Sequence, residues 1–140
     1  MSKPIAILSA ARTPIGGMMG ALSSLSAPDL GGIAIGAAIE RCGVDPSKIN
    51  EVLMGSVLTA GQGQAPARQA ALAAGLAQST SCTTINKVCG SAMKSVMVAG
   101  NTLRSGQADI IVAGGMESMS RAPYLIPQGR QGYRFGHAEM

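Results

Sequence analysis

Aromatic residues are scarce in this chain: phenylalanine, tyrosine and tryptophan together make up 2% of its 140 residues, and tryptophan is absent. Proteins that bind nucleic acids combine basic residues with aromatic side chains that stack on the bases, so this shortage argues against a nucleic-acid partner. The formal net charge is only +4. So small an excess suits an anionic small molecule better than a polyanion.

Cysteine and histidine are also few. The cysteines are Cys42, Cys82 and Cys89, and the one histidine is His137. An odd number of cysteines without metal-ligand spacing indicates neither a disulfide framework nor a zinc site. We therefore expect free thiols, no bound metal and a reducing compartment.

Long apolar segments are missing as well. No run approaches the ~20 apolar residues that a membrane-spanning helix needs, and residues 1–4 have the features of neither a signal peptide nor a transit peptide. We therefore expect a cytoplasmic protein without a membrane partner. Hydrophobic residues make up 46% of the chain and charged residues only 13%, which predicts a folded domain rather than disorder.

Short apolar runs and helical patterns alternate along most of the chain. The apolar runs, which have the composition of buried strands, cover residues 4–10, 51–57, 80–85 and 109–113. The helical patterns between them cover residues 26–43, 66–75 and 90–105. This alternation predicts an α/β fold in which an open, mostly parallel sheet of roughly four strands carries helices on both faces.

The first predicted helix has clear boundaries. Ser26 and Asp29 have the spacing of a capping box, and Gly43 can adopt the left-handed conformation in which helices often end. The face expected to pack on the sheet consists of Leu30, Ile33, Ala34, Ala37 and Ala38.

Cys89 lies where the predicted strand at residues 80–85 gives way to the helix at residues 90–105. The free N–H groups and the positive dipole end of a helix start favour a thiolate, which is the nucleophilic form of cysteine. From the residues alone, a buried structural cysteine and a nucleophile remain equally open interpretations. Of the three cysteines we expect Cys89 to be the most thiolate-like, and Cys42 to be inert.

The residues around Cys89 resemble a known nucleophile segment. The run NKVCGSAMKSV, residues 86–96, is similar to that of the thiolases, which are the acetyl-CoA acetyltransferases and 3-ketoacyl-CoA thiolases. Four further segments resemble the same family and occur in the same order along the chain: ARTPIG (11–16), GQGQAPARQA (61–70), VAGGMESMS (112–120) and GYRFGH (132–137). The resemblance covers all 140 residues. It departs at Ala92, where glycine is usual and a methyl could narrow the acyl pocket, and at Ala65, where asparagine is usual.

The resemblance implies an acyltransferase that uses acyl-CoA and coenzyme A as substrates and needs no further cofactor. Cys89 would attack a thioester carbonyl and become acylated, with its backbone N–H as a candidate oxyanion donor. A second acetyl-CoA would then accept the acyl group. The reverse reaction would be the thiolysis of a 3-ketoacyl-CoA. The resemblance also implies an N-terminal α/β domain over residues 1–118, the incomplete start of an inserted loop domain over residues 119–140, and a homo-oligomer at full length.

The same resemblance predicts that residues 1–140 alone are incomplete for catalysis, because the family's activating histidine and second cysteine belong to a second half. His137 does not match that histidine and is expected to be a loop or substrate-side residue. Two alternatives remain open. One is a related condensing enzyme of the ketoacyl synthase type, which also places a cysteine at a helix start. The other is a non-catalytic fragment or interaction module.

Overall fold

The computed structural model describes residues 4–137, and its framework is one parallel sheet between helices. The strands are β1 (Glu51–Gly55), β2 (Ser81–Ile85) and β3 (Ile111–Gly115). The helices are α1 (Ala27–Cys42), α2 (Pro66–Ala73) and α3 (Ser91–Arg104), with short 3-10 helices at Pro46–Lys48 and Met119–Arg121. The strand order is β2-β1-β3 and both pairings are parallel. The predicted α/β class with an open parallel sheet is confirmed.

β1 is the central strand and the most deeply buried one. Val52, Leu53 and Met54 are each at most 2% exposed, and successive side chains of a strand point to opposite faces of the sheet. Val52 and Met54 belong to the apolar cluster that α1 and α2 complete. Gly55, on the same face as Leu53, lies against the start of α3. Helices therefore cover both faces, and burial of each large side chain stabilises the fold by about 1.5–3 kcal/mol.

α1 begins and ends where the sequence predicts. The Ser26 hydroxyl accepts a hydrogen bond from the Asp29 N–H at 3.2 Å, and the Asp29 carboxylate accepts one from the Ser26 N–H at 2.9 Å. Gly43 ends the helix with φ 65°. Both signals are local in sequence, which is why they could be identified without knowing the packing of the helix.

The buried face of α1 differs from the predicted one. Ile33 is 55% exposed, and α1 packs mainly against α2. The buried residues are Ala27, Pro28, Gly31, Gly32, Ile35 and Ile39. A Cβ on Gly32 would lie 2.9 Å from the Ala73 Cβ, so the glycines allow a close approach that larger apolar residues would prevent.

Residues 4–10 do not form the strand that their apolar run predicts. Ile7 is 87% exposed and Leu8 is 59% exposed, so within residues 4–137 the run has neither a strand partner nor full cover. The segment is held near Ala10, whose carbonyl oxygen accepts a hydrogen bond from Arg41 at 2.8 Å. An apolar run shows that its residues favour burial, but the neighbours must come from the tertiary structure. The sheet described here has three strands rather than four.

After β3 the described chain contains only the short helix Met119–Arg121. Residues 121–137 are exposed throughout. The predicted division into residues 1–118 and residues 119–140 stays a prediction, and residues 138–140 lie outside the described part, as do residues 1–3. No helix within residues 4–137 is both long enough and apolar enough to cross a membrane.

Candidate active site

A strained turn at residues 86–91, called here the cysteine turn, brings Cys89 to the start of α3. Val88 has a φ of 49°, a left-handed conformation that costs roughly 1–3 kcal/mol in a residue of this kind. Gly90 follows Cys89 and is the N-cap residue of α3. The Ser91 N–H donates to the Val88 carbonyl oxygen at 3.1 Å and closes the turn.

Two side chains fix the peptide groups on either side of Val88. The Asn86 Oδ1 accepts a hydrogen bond from the Val88 N–H at 3.0 Å. The Ser91 hydroxyl donates to the Val88 carbonyl oxygen at 2.6 Å and accepts from the Lys87 N–H at 2.8 Å. Backbone strain persists only where the surroundings hold it in place, and it occurs preferentially at functional sites.

Glycines at the ends of β1 and β3 let α3 begin directly beside the sheet. A Cβ on Gly55 would lie 2.5 Å from the Ser91 carbonyl carbon, and a Cβ on Gly115 would lie 2.6 Å from the Ala92 Cβ. Larger residues at either position would force the start of α3 to move. The methyl group of Ala92, one of the two departures from the family pattern, therefore lies against the end of β3.

Cys89 differs from the other two cysteines in its surroundings. Cys89 is exposed, whereas Cys42 and Cys82 are half-buried. Burial raises the pKa of the Cys82 thiol and so disfavours its thiolate. Among the described residues, no side chain caps the start of α3. The Ser91 N–H is used within the turn, but the N–H groups of Ala92 and Met93 are left open to an anion. The predicted position of Cys89, between a strand and a helix start, is therefore found in the structure.

The carboxylate of Glu117 ties two loops together near this site, and sequence reasoning assigned it no role. Its Oε2 accepts a hydrogen bond from the Val57 N–H at 2.8 Å, and its Oε1 accepts one from the Leu58 N–H at 3.2 Å. Val57 follows β1 and Glu117 follows β3, so both lie at the carboxyl edge of the sheet. The one available signal was an acidic residue placed shortly after the strand predicted at residues 109–113.

Ala65 is the other departure from the family pattern, and it lies at the start of α2. It is the N-cap residue, has a φ of 47° and makes no side-chain cap. The Thr84 hydroxyl accepts a hydrogen bond from the Ala67 N–H at 3.0 Å and satisfies one of the free donors there. Asparagine adopts the left-handed conformation more readily than alanine, so this departure costs local stability.

Residues 4–137 present Cys89 on an open surface. One surface cavity is lined by the N-terminal loop, α1 and the end of β3, and a second by the start of α1 and the loop before α2. Cys89 lines neither of them. His137 lies in exposed, irregular chain, and its role as a loop or substrate-side residue stays a prediction.

A parallel α/β sheet that presents an exposed cysteine on a strained turn at a helix start is an architecture suited to thiol nucleophilic chemistry. Comparison with known families agrees with this class. Residues 5–140 match the family described as thiolase, N-terminal domain, and the chain belongs to that family. The family membership expected from the sequence is thus confirmed.

Curated relatives are similar along nearly the whole chain. Acetyl-CoA acetyltransferase 2 of Arabidopsis thaliana is 54% identical over 135 residues, which are 96% of this chain and 34% of that protein. An acetyl-CoA acetyltransferase of Cupriavidus necator is 53% identical over 136 residues, or 97% of this chain and 35% of that protein. The mitochondrial acetyl-CoA acetyltransferase B of Xenopus laevis is 60% identical over 129 residues, which are 92% of this chain and 31% of that protein.

The chain spans about a third of the length of these relatives. Their shared name favours the thiolase interpretation over a ketoacyl synthase. One of them is named as mitochondrial, so the cytoplasmic setting expected for this chain stays a prediction.

Proposed function

We propose that this chain carries the nucleophile of a thiolase-type acyltransferase that acts on coenzyme A thioesters. The observation that supports this most directly is the position of Cys89, exposed beside the uncapped start of the 14-residue helix α3. The names of the relatives support acetyl-CoA as the acyl donor. No further cofactor is needed, because the substrates themselves are activated thioesters.

The reaction would proceed in two acyl transfers. The Cys89 thiolate attacks the thioester carbonyl, a new carbon–sulfur bond forms, and coenzyme A leaves as its thiolate. In the second step a base removes a proton from the α-carbon of another acetyl-CoA. The resulting carbanion attacks the acyl group and releases the Cys89 thiolate with acetoacetyl-CoA as product. Thiolysis of a 3-ketoacyl-CoA is the same sequence in reverse.

The residues at the start of α3 would serve the first transfer. The helix dipole stabilises the attacking thiolate, and the Cys89 N–H is a candidate donor to the oxyanion that forms on the carbonyl oxygen. General acid–base assistance contributes about 10²–10⁴-fold for each group. We expect residues 1–140 alone to lack this assistance, because the family resemblance assigns those groups to a second half.

Acylation of Cys89 is the experiment that tests the proposal. The chain is incubated with acetyl-CoA, denatured, and mapped by peptide mass spectrometry. We expect an acetyl adduct on Cys89, none on Cys42 or Cys82, and none at that site in a Cys89→Ala variant. In the same preparation, acetoacetyl-CoA thiolysis should be undetectable until a separately expressed second half is added.

Two results would contradict this proposal. Acetylation of Cys42 or Cys82 in preference to Cys89 would remove the nucleophile assignment. Robust thiolysis by residues 1–140 alone, abolished by Cys89→Ala, would keep the nucleophile but show that the required acid–base groups lie within this chain.

A non-catalytic interaction module is the alternative that one observation favours. Met93, Val96 and Met97 on α3 are 71%, 54% and 57% exposed, and exposed apolar side chains grouped on one helix are typical of contact surfaces. Such a contact surface would also agree with the homo-oligomer that the resemblance implies. The homo-oligomer itself stays a prediction. Failure of acetyl-CoA to acylate Cys89 would favour this alternative.

A further inference from the structure

Glu117 lies outside the cysteine turn, yet it holds the loop beside that turn through two hydrogen bonds. Its carboxylate oxygens accept from the Val57 N–H at 2.8 Å and from the Leu58 N–H at 3.2 Å. Hydrogen bonds to an ionised acceptor are roughly twice as strong as neutral ones. A neutral glutamine could not replace both, because only one of its two terminal atoms accepts a hydrogen bond.

The peptide that Glu117 fixes is bonded to the cysteine turn from its other side. The Asn86 Nδ2 donates to the Val57 carbonyl oxygen at 3.4 Å. The Oδ1 of the same amide accepts from the Val88 N–H at 3.0 Å. Val57 therefore has its N–H held by Glu117 and its carbonyl held by Asn86, which also holds the strained residue before Cys89.

The contact between Asn86 and Val57 is long for a hydrogen bond, but a shorter backbone bond supports the same route. The Ser56 N–H donates to the Ile85 carbonyl oxygen at 3.0 Å. This bond fixes the end of β2, immediately before Asn86, against the residue that precedes Val57. The loop after β1 and the cysteine turn are thus connected by both backbone and side chain.

We propose that Glu117 is a positioning residue for Cys89. It touches neither the thiol nor the substrate, and it acts by fixing the Val57 peptide against which Asn86 holds the Val88 N–H. This rests on the proposed function of Cys89 as the nucleophile. Without the Glu117 carboxylate, the left-handed conformation of Val88 loses part of its support, and Cys89 is less firmly held at the start of α3.

The test compares Glu117→Gln with Glu40→Gln, which makes the same chemical change on the exposed surface of α1. Alkylation of Cys89 by iodoacetamide is followed by peptide mapping across a range of pH. We expect Glu117→Gln to slow Cys89 labelling at neutral pH by about two- to fivefold, the range that corresponds to the stabilisation of an anion by a helix start. The pH profile should move to higher pH, and Glu40→Gln should match the wild type.

Cys42 and Cys82 report in the same samples whether the fold itself has loosened. If Glu117 only supports the fold, its replacement exposes these half-buried thiols and all three cysteines react faster together, which would overturn the proposal. The proposal would also be overturned if Glu117→Gln made the Val57 and Leu58 amides exchange faster with solvent but left the pH profile of Cys89 labelling unchanged.

Two further variants test the route and guard against misfolding of the first. Glu117→Asp keeps the charge on a side chain one methylene shorter, and it should restore part of the wild-type Cys89 profile. Asn86→Ala removes the link, so adding Glu117→Gln in that background should change Cys89 labelling by less than it does in the wild type. Equal effects in both backgrounds would overturn the route through Asn86.

These outcomes are separable from those of the proposed function. Acylation by acetyl-CoA tests whether Cys89 is the nucleophile, and it is measured in the wild-type chain. Alkylation needs no acyl substrate, so the dependence of Cys89 on Glu117 can hold or fail whichever way the acylation result turns out.

Discussion

Replacing Gly55 by alanine should displace the start of α3 and destabilise the chain. Gly55 is the last residue of β1 and lies on the face that α3 covers. Its added Cβ would lie 2.5 Å from the Ser91 carbonyl carbon and 2.6 Å from the Ala92 nitrogen. Both are backbone atoms, so no side-chain rotation can relieve the overlap.

The size of the effect follows from this geometry. Non-bonded carbon atoms pack at about 3.5–4.0 Å, so the helix start would have to retreat by roughly an ångström. Overpacking of this kind destabilises the folded chain by about 1–3 kcal/mol. Alanine also lowers the conformational entropy of the unfolded chain, which stabilises the variant by roughly 0.5–1 kcal/mol. Because the overlap is with backbone atoms, we take the upper part of the overpacking range, about 2–3 kcal/mol, and expect Gly55→Ala to lower the free energy of unfolding by about 1–2.5 kcal/mol.

Gly36→Ala is the matched control, because the same substitution meets open space there. Gly36 lies inside α1, and nothing is within 4 Å of an added Cβ. Alanine should stabilise a helix interior by about 0.5–1 kcal/mol relative to glycine. Urea denaturation followed by circular dichroism measures both variants. A Gly55→Ala variant as stable as the wild type would refute the idea that close contact with β1 sets the position of α3.

Two further predictions concern helix starts. Ala65→Asn should raise the free energy of unfolding by about 0.5–1 kcal/mol, because asparagine adopts the left-handed conformation of this residue more readily. Urea denaturation measures it, and a loss of stability would show that the site requires a small side chain. Hydrogen bonds from Ser26 lower the pKa of Asp29, so its contribution to stability is present above the ordinary carboxyl pKa and is lost as the pH falls below that value through the lowered pKa of the folded state. Thermal unfolding should therefore show a deficit for Asp29→Asn near neutral pH that shrinks towards pH 3, and a constant deficit would contradict this.

The architecture could be predicted from the sequence because its signals are local or periodic. Alternating strand and helix patterns gave the parallel α/β class, and Ser26 with Gly43 gave the ends of α1. The failures concern packing partners. The run at residues 4–10 is apolar but lacks full cover within the described chain. α1 comes close to Met116 and Ala73 at Gly31 and Gly32, whose small size carries no apolar signal.

The candidate site shows the same division between local and tertiary information. The strand, the Gly-Ser pair and the helix pattern placed Cys89 correctly between β2 and α3. The left-handed Val88 could not have been predicted, since a β-branched residue is disfavoured in that conformation. Glu117 bonds to a residue 60 positions earlier, and this pairing exists only because parallel strands bring their following loops to one edge of the sheet.

The contrast between α1 and α3 points to the site without reference to any relative. α1 has a full capping box at its start and a left-handed glycine at its end, as expected of a helix whose role is packing. α3 has no side-chain cap among the described residues, and a strained residue stands just before it. α2 also begins at a left-handed residue without its own cap, but there the Thr84 hydroxyl accepts a hydrogen bond from the Ala67 N–H. An absent cap costs about 0.5–2 kcal/mol, and the strain at Val88 adds to this. A chain that caps one helix fully and leaves another open beside an exposed thiol gives up stability at the place where free N–H groups can bind an anion.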